Sequence, residues 1–407
     1  MKLGDKKSSF HIPEGMIYLD GNSLGPLPKH AMLRVQQMME TQWGDQLIKA
    51  WNQSGWMDMP DRIGNRIAPL IGAPPDTVTM GDTLSIKIFQ AMAAALRMRP
   101  DRKLILSDNG NFPTDLYMVQ GLIDQMDHGL IDQMDQGHIL KICDPQDVKQ
   151  QIAEIGSDLA CLMLTHVDYR TGRLHDMNKI TKLAQDHGAV VIWDLAHSAG
   201  ALPVEIAHSN AEFAAGCTYK YLNGGPGAPA FIYVRPDIIN QVKPVLSGWL
   251  GHRAPFDFDL DYKAATGIGR MRVGTPPIIQ LAALDAALDI WDGVDLGLVR
   301  AKSIALSQCF IEQVACKLPD LVLASPADSA QRGSHISYYY DEGYAVIQAL
   351  IAANIIADFR APNMMRFGFA PLYLDERQII AAVDALADII HHRRWDQPKF
   401  KAKAKVT

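Results

Sequence analysis

The sequence lacks the residue patterns of metal-binding proteins. Its five cysteines form no CxxC pair and no zinc-like spacing, and its 13 histidines form no HExxH pair. The net charge of −6 gives no reason to expect a nucleic-acid partner or an anionic membrane. We therefore expect no metal and no nucleic acid. The five cysteines are typical of reduced, mostly buried side chains in a cytoplasmic protein.

Long apolar runs are also missing. The first ten residues, MKLGDKKSSF, lead into no apolar segment of the kind a secretory signal needs. The most apolar later stretch, VIQALIAANIIADF, is too short and too interrupted to span a bilayer, so we expect no membrane partner. With 407 residues, 48% of them hydrophobic and 21% charged, the chain has the composition of a globular enzyme with two or more lobes.

The middle of the chain alternates short apolar runs with helical patterns. The runs predict strands at 102–108, 158–166, 188–194, 212–220 and 229–234. Near-continuous apolar strands separated by helices are typical of an α/β fold, in which a mostly parallel sheet is covered on both faces.

Two further regions flank this sheet. Before the first strand, a predicted helix has Asp82 or Thr83 as its N-cap. The C-terminal third changes to an α+β pattern. We therefore expect an N-terminal arm and helix (1–60) that packs on both lobes, a large cofactor-binding domain (61–299) and a small C-terminal domain (300–407).

A short tandem repeat interrupts this pattern. GLIDQMDH at 121–128 is followed at once by GLIDQMDQ at 129–136. A repeat of eight residues is too short for a solenoid unit. It predicts a lengthened surface helix or loop, and the alternative is a modified active-site rim.

Two charged side chains follow neighbouring predicted strands. Asp194 ends VVIWD, at the strand end where open α/β sheets bind their ligands, although an aspartate there can simply cap the next segment. Lys220 lies in GCTYKYLNGGPGAP (216–229), which otherwise predicts an ordinary surface turn. A desolvated lysine has a lowered pKa and forms Schiff bases. Paired with an aspartate that keeps a pyridine nitrogen protonated, such a lysine points to pyridoxal phosphate.

Other residues complete a cofactor and substrate site. The helix that begins at DTLSIK offers free N–H groups and the hydroxyls of Thr83 and Ser85 to a phosphate. Phe112 is positioned to stack on a planar ring, and Arg366 to clamp a substrate carboxylate. Taken singly, the phenylalanine is more often core and the arginine more often a surface ion pair.

Seven segments resemble the fold-type I pyridoxal phosphate enzymes of the aminotransferase class V branch, and among them the kynureninase family. They are YLDGNSLGPLP (18–28), GWMDMPDRIGNRIAPLIGA (55–73), NFPTDLY (111–117), VIWDLAHSAGALPV (191–204), GCTYKYLNGGPGAPAF (216–231), RVGTPPI (272–278) and PNMMRFGFAPLY (362–373). They follow the expected order over nearly the whole chain. The tandem repeat is the main departure, and it affects the rim after 111–115.

This resemblance implies a fold, an assembly and a set of site residues. The fold has a large lobe with a mostly parallel, seven-stranded type of sheet and a smaller C-terminal α+β lobe, and two subunits form a homodimer with sites at the interface. Lys220 and Tyr219 are the implied catalytic residues, and Arg366 binds the substrate α-carboxylate. The implied cofactor-binding residues are Leu84, Ser85, Phe112, Asp115, Thr165, Asp194, His197, Tyr219, Lys220, Trp249 and Thr275.

The implied reaction is hydrolysis of L-kynurenine to anthranilate and L-alanine in tryptophan catabolism. Trp51, Trp56 and Trp249 are candidate walls for the aromatic ring, and Thr275 favours kynurenine over its 3-hydroxylated form. Adjacent strand residues face opposite sides, so a role for Tyr219 beside Lys220 requires a turn or bulge. The alternatives are another class V enzyme, such as a cysteine desulfurase or a small-substrate aminotransferase, and a non-catalytic binding module on the same fold.

Overall fold

The computed structural model describes residues 3–127 and 137–404. The strands, in chain order, are β1 Phe10–His11, β2 Ile17–Tyr18, β3 Leu27–Pro28, β4 Val78–Met80, β5 Leu104–Asp108, β6 Ile139–Cys143, β7 Leu159–Thr165, β8 Val190–Asp194, β9 Phe213–Gly216, β10 Phe231–Val234, β11 Val322–Leu323, β12 His335–Tyr339, β13 Ile355–Ile356, β14 Asp358–Arg360 and β15 Met364–Gly368.

The α-helices are α1 Lys29–Gln37, α2 Ala50–Gln53, α3 Met59–Ile67, α4 Leu84–Met98, α5 Pro113–Asp127, α6 Val148–Ile155, α7 Met177–Asp186, α8 Ile206–Ser209, α9 Ile278–Leu288, α10 Leu296–Lys317, α11 Gly343–Ala352, α12 Glu376–His391 and α13 Pro398–Lys401. Helix α1 continues as a π-helix over Met38–Gln46. No helix within the described ranges combines the length and the apolar character needed to cross a membrane.

A seven-stranded sheet forms the centre of the large lobe. Its strand order is β4-β10-β9-β8-β7-β5-β6, and β10 is antiparallel to both of its neighbours. The other adjacent pairs are parallel. This confirms the predicted α/β fold with a mostly parallel sheet.

Strand β8 shows why its sequence is continuously apolar. Val190 and Ile192 pack in the core cluster that includes α4. Val191 and Trp193 pack in the cluster on the opposite face, where Trp193 Nε1 donates to the Thr181 hydroxyl of α7. Because both faces of the sheet are covered, each residue of the strand is buried.

A four-stranded antiparallel sheet, of order β11-β12-β15-β14, lies in the C-terminal part of the chain. Helix α11 packs against β14 and β15 of this sheet, and helix α12 packs against α10 and α11. Helix α12 begins at a capping box in which Asp375 accepts from Gln378 N–H and Gln378 accepts from Asp375 N–H. The N-terminal arm reaches this region, because β2 pairs in parallel with β13. It also reaches the large lobe, where Arg34 of α1 contacts Asp285 of α9.

Three local predictions are corrected or limited. Thr83 is the N-cap of α4, whereas Asp82 precedes it with a left-handed backbone (φ 57°). The strand predicted over 212–220 ends at Gly216, so Lys220 lies in a turn beyond the strand instead of ending it. In the tandem repeat, residues 121–127 continue helix α5, whereas residues 128–136 lie outside the described part of the chain.

Candidate active site

Four neighbouring parallel strands bring their carboxyl ends to one edge of the sheet. Thr165 ends β7 and Asp194 ends β8, while Phe112 follows β5 and Lys220 follows β9. Ligand sites of open α/β sheets lie at this edge. The turn after Gly216 frees residues 217–220 from strand alternation, so Tyr219 and Lys220 both face the same cavity.

The cavity has a volume of about 480 Å³. The predicted site residues among its lining are Leu84, Ser85, Phe112, Thr165, Asp194, His197, Tyr219, Lys220 and Arg366. Within residues 3–127 and 137–404, no group of three or more His, Cys, Asp or Glu side chains is placed to hold a metal ion.

Lys220 is held in a tight turn at the cavity. The Asn223 N–H donates to the Lys220 carbonyl at 2.9 Å, and Gly25 N–H donates to the Tyr219 carbonyl at 2.7 Å. A Cβ at Gly25 would lie 2.3 Å from the Lys220 carbonyl oxygen, so the arm must have glycine there to approach the turn. Lys220 Nζ lies 3.1 Å from His197 Nε2. Burial lowers the pKa of the Lys220 amine and lowers that of His197 well below its usual range.

One aspartate lines the cavity and a second lies next to it. Asp194 Oδ1 accepts from the Ala196 N–H at 2.8 Å, while the predicted residue Asp115 interacts with Asp194, is fully buried and is not among the described residues that line the cavity. Neither Asp115 oxygen accepts a well-formed hydrogen bond from the described residues. Burial raises the pKa of both carboxyls, and the charge of Asp194 raises that of Asp115 further. The charge of Lys220 opposes this shift in both carboxyls.

The start of helix α4 forms another wall of the cavity. Leu84 and Ser85 are its first residues, and both line the cavity. The first N–H groups of a helix have no partner within the helix, and its dipole favours negative charge there. Thr83 uses its hydroxyl to cap Ile86 N–H. This helix start is therefore suited to a phosphate.

Arg366 lies in β15 at the C-terminal side of the cavity. Its Nε donates to Asp358 Oδ1 at 2.8 Å and its Nη2 donates to Ser23 Oγ at 2.8 Å. A second contact joins Nη2 to Asp358 Oδ2, and Nη1 donates to the Tyr169 carbonyl. The side chain is buried, so this guanidinium is rigidly held against the cavity.

Phe112 and Tyr219 border the cavity on other sides. Phe112 is 47% exposed and meets the Tyr169 ring edge-on, with centroids 5.1 Å apart. The Tyr219 ring centroid lies 5.9 Å from Lys220 Nζ. The Cys217 side chain makes the largest contribution to raising the pKa of the Tyr219 phenol, and burial raises it further. The phenol therefore stays protonated at neutral pH.

Some predicted residues lie elsewhere in this chain. Trp249 and Thr275 are exposed and are not among the described residues that line the cavity. Trp51 and Trp249 instead line a separate cavity of about 250 Å³ together with Phe256. Trp56 is buried beside Trp51, with ring centroids 5.5 Å apart.

Sequence reasoning missed several cavity residues, namely Asn22, Ser23, Tyr169, Cys217 and Arg360. Asn22 and Ser23 belong to the N-terminal arm, and the chain brings them to the site only by tertiary packing. Arg360 follows Asp358 by two residues on β14, and this spacing places both on one face of the strand. This i, i+2 spacing of Asp358 and Arg360 is the one local sequence pattern that indicates a missed cavity residue.

The cavity suits pyridoxal phosphate. Asp194, with Asp115 beside it, matches a protonated pyridine nitrogen, and the helix start matches the phosphate. Lys220 offers an amine to the aldehyde, and Phe112 offers a ring face. The polarity of these groups therefore matches that of the cofactor.

Comparison with known proteins places the chain in a family. A model described as the kynureninase C-terminal domain matches residues 299–386. The kynureninase of Pseudomonas fluorescens is 45% identical over 412 residues, covering 100% of this chain and 96% of the relative. That of Burkholderia mallei strain SAVP1 is 43% identical over 411 residues, with the same coverage.

Solved structures agree on the fold. A cysteine desulfurase from Thermococcus onnurineus NA1 superposes with a TM-score of 0.77 at 18% identity, covering 95% of this chain and 98% of that one. The Escherichia coli cysteine desulfurase CsdA gives 0.78 at 18% identity, with coverages of 96% and 99%. These likenesses establish the fold alone, whereas the full-length identity to the two kynureninases is far higher: this chain belongs to the kynureninase family.

Proposed function

We propose that this chain uses pyridoxal phosphate to hydrolyse L-kynurenine to anthranilate and L-alanine, and that it does so in the cytoplasm. One observation carries the proposal. A single cavity joins Lys220, Asp194 and Arg366 in a chain that is 45% identical over its whole length to a kynureninase.

The bound cofactor supplies an electron sink for negative charge that develops beside the substrate amine. Asp194, with Asp115 beside it, would hold the proton on the ring nitrogen that makes the sink effective. Leu84 and Ser85 would hold the phosphate at the start of α4. Phe112 would stack on the ring, and Thr165 and His197 would border it.

Lys220 is the residue that moves protons. Burial lowers the pKa of its amine, so a larger neutral fraction is available to take the Cα proton at neutral pH. His197 Nε2, 3.1 Å from Nζ, orients that amine. The raised pKa of Tyr219 keeps its phenol protonated, which makes it the proton donor to the product side after water adds to the aryl ketone and the Cβ–Cγ bond breaks.

Arg366 fixes the substrate at the other side. Its guanidinium faces the cavity and is held by Asp358, Ser23 and the Tyr169 carbonyl, so it meets an α-carboxylate without prior rearrangement.

Anthranilate fluorescence tests the reaction. Purified protein with pyridoxal phosphate should form anthranilate and alanine in equal amounts from L-kynurenine. It should convert 3-hydroxykynurenine to the hydroxylated product more slowly. L-cysteine serves as the desulfurase control. Cys217 lines the cavity, but burial raises the pKa of its thiol, which makes it a poor nucleophile. Sulfide release from cysteine without anthranilate from kynurenine would replace this proposal with the desulfurase alternative.

We further propose a homodimer in which Trp249 and Thr275 complete the cavity of the partner subunit. Both are exposed and lie outside the cavity of their own chain. Large apolar side chains are exposed on the arm and near Trp249, among them Trp43, Ile48 and Phe258, as expected for a surface that a second copy covers.

Subunit mixing tests this assembly. Lys220→Ala and Trp249→Ala should each be weakly active alone. Mixed after mild dissociation, they should recover about a quarter of the wild-type sites, because mixed dimers hold one intact site. No recovery, with mixed dimers demonstrated, would assign Trp249 to its own chain's site or to none.

We also propose the domain division 1–60, 61–299 and 300–407. The seven-stranded sheet falls entirely within the second range, and the four-stranded sheet falls entirely within the third. Independent refolding of the fragment 300–407 would test the last boundary by circular dichroism.

A further inference from the structure

Three charged side chains share one face of the C-terminal sheet. Asp358 of β14 is paired directly with Arg366 of β15, and Arg360 lies two residues beyond Asp358 on the same strand. Residues two apart on a strand point to the same side, and directly paired residues do so as well. Arg360 and Arg366 are therefore diagonal neighbours with Asp358 between them.

Protein partners occupy most of the hydrogen-bonding capacity of Arg366. A guanidinium side chain has five N–H groups. Its Nε donates to Asp358, its Nη2 to Ser23 and Asp358, and its Nη1 to the Tyr169 carbonyl. With the Asn22 amide turned so that its oxygen faces the guanidinium, this oxygen also accepts from Nε at 3.0 Å and from Nη2 at 3.2 Å. A single Nη1 hydrogen is left for a ligand, so Arg366 by itself cannot present a two-pronged fork to a carboxylate.

Arg360 lines the same cavity and has capacity to spare. Its side chain is 32% exposed, against 2% for Arg366. Its Nη2 contacts Asp358 Oδ2 at 2.8 Å and Ser23 Oγ at 3.3 Å, and its Nη1 donates to its neighbour's carbonyl, that of Phe359, at 3.3 Å. Its Nε has no partner among the described residues, and Nη1 keeps one further hydrogen.

The charges around this pair favour an incoming anion. Asp358 is ionised: burial opposes ionisation, but the charge and hydrogen bonds of Arg366 lower its pKa to about 2. The second carboxyl, Asp20, has its pKa raised to about 7 by burial and by Asp358. The two positive guanidiniums therefore face the full negative charge of Asp358 and the partial negative charge of Asp20. A substrate carboxylate would neutralise the remaining positive charge.

We propose that Arg360 is a second substrate-binding residue, and that the α-carboxylate is held by one N–H from Arg366 and one from Arg360. The proposal rests on the assignment of Arg366 to the substrate carboxylate in the proposed function. It also gives a reason for the Asp358 bridge, which holds two like charges close together on one sheet face.

Kinetics on an acid and its amide test this arrangement. With the holoenzyme, Arg360→Gln should raise KM for L-kynurenine by about 10- to 100-fold and leave kcat within about 3-fold, because one charge-assisted hydrogen bond is lost. The carboxamide of L-kynurenine lacks the charge, so its KM should change little. Arg360→Lys should fall between wild type and Arg360→Gln. The matched control is Arg170→Gln, whose guanidinium lies near Tyr169 but is not among the described cavity-lining side chains.

A binding titration keeps this test independent of turnover. L-alanine and L-alaninamide are titrated against the visible absorption band of the bound cofactor. Arg360→Gln should weaken alanine binding by a factor similar to the change in KM and leave alaninamide binding unchanged. If wild-type protein cleaves no kynurenine yet shows this difference, the proposed reaction fails and the role of Arg360 stands.

Two results would overturn the proposal. An equal loss for acid and amide would mean that Arg360 only supports the fold around Asp358. No loss for either would mean that Arg366 suffices. If Arg360→Gln does not retain the visible band of the cofactor, Arg360→Lys is used in its place, and its binding of the acid and of the amide is compared in the same way.

Discussion

Two lysines of this protein, both with a lowered pKa, differ in what surrounds their amines. Lys87 in α4 is fully buried, and its Nζ donates to Asp82 Oδ2 at 3.1 Å, Gln90 Oε1 at 3.0 Å and the Met271 carbonyl at 3.2 Å. Among the described residues, Lys220 Nζ has one hydrogen-bonding neighbour, His197 Nε2 at 3.1 Å. Burial lowers the pKa of both amines. Burial therefore does not distinguish a reactive lysine from a structural one, whereas free hydrogen-bonding capacity at a cavity does.

The aspartates show the same contrast. Asp358 is fully engaged by Arg366, Arg360 and Ser23, and its pKa is lowered to about 2, with the attraction of Arg366 outweighing burial. Asp115 has no well-formed partner among the described residues, and burial raises its pKa. The fully hydrogen-bonded Asp358 therefore stabilises the structure around the site, whereas Asp115 keeps its capacity to interact with a ligand.

Among the substitutions that test this difference, Lys220→Ala should have the largest effect, on anthranilate formation. We expect anthranilate formation to fall by roughly 10²- to 10⁴-fold, because the group that moves the Cα proton is lost. The cofactor's visible band should also lose its sensitivity to borohydride. Lys179→Ala, a change on the exposed face of α7, is the control and should behave as wild type in both assays.

Asp358→Asn should have the next largest effect, on stability. Breaking a buried ion pair leaves Arg366 uncompensated, so we expect the free energy of unfolding to fall by about 3–5 kcal/mol. The control Asp384→Asn breaks an exposed pair with Lys317 and should cost less than about 1 kcal/mol.

The same variant makes a pH prediction. The folded-state pKa of Asp358 is lowered, so its stabilising contribution is complete above the ordinary carboxyl pKa of about 4 and is lost as the pH falls toward about 2. The stability difference between wild type and Asp358→Asn, measured by denaturant titration, should therefore shrink across that window. A constant difference from pH 7 to pH 2 would mean that Asp358 acts by packing and not by charge.

Lys87→Met should separate the two lysines. The change leaves Asp82 and Gln90 without their donor, so we expect a loss of about 1–3 kcal/mol in unfolding free energy. The borohydride-sensitive band should remain, because Lys220 is untouched. Loss of the band at full cofactor occupancy would contradict the structural role of Lys87.

Asp115→Asn should give the smallest effect, and its sign should depend on the cofactor. Burial raises the folded-state pKa of this carboxyl, so its charge destabilises the folded apoprotein at neutral pH. Without the cofactor, the neutral amide should raise the melting temperature by about 1–3 °C. With the cofactor bound, the variant should melt below wild type, because the ring nitrogen loses part of its negative surroundings. Equal shifts in both states would mean that this carboxyl does not serve the cofactor.

The sequence predicts the centre of this site better than its edge. Asp194 and Thr165 end strands whose apolar runs are visible in the sequence, and Phe112 follows another. Neighbouring parallel strands end at one edge of the sheet. The position of Lys220 was predicted, but its place at the end of a strand was wrong, because the glycine-rich stretch already turns the chain after Gly216.

The carboxylate end could not be predicted in the same way. Ser23 of the arm meets Asp358 across 335 positions of sequence, and Tyr169 meets Arg366 across 197. Such pairings depend on how the arm, the large sheet and the C-terminal sheet pack together. No local pattern of residues encodes them.

The lysine to which the cofactor is attached can be identified directly. The holoprotein is reduced with borohydride, digested and analysed by mass spectrometry. We predict that the reduced cofactor is found on the peptide that contains Lys220, with the peptide that contains Lys87 unmodified. Attachment at Lys87, or at any lysine other than Lys220, would contradict the account.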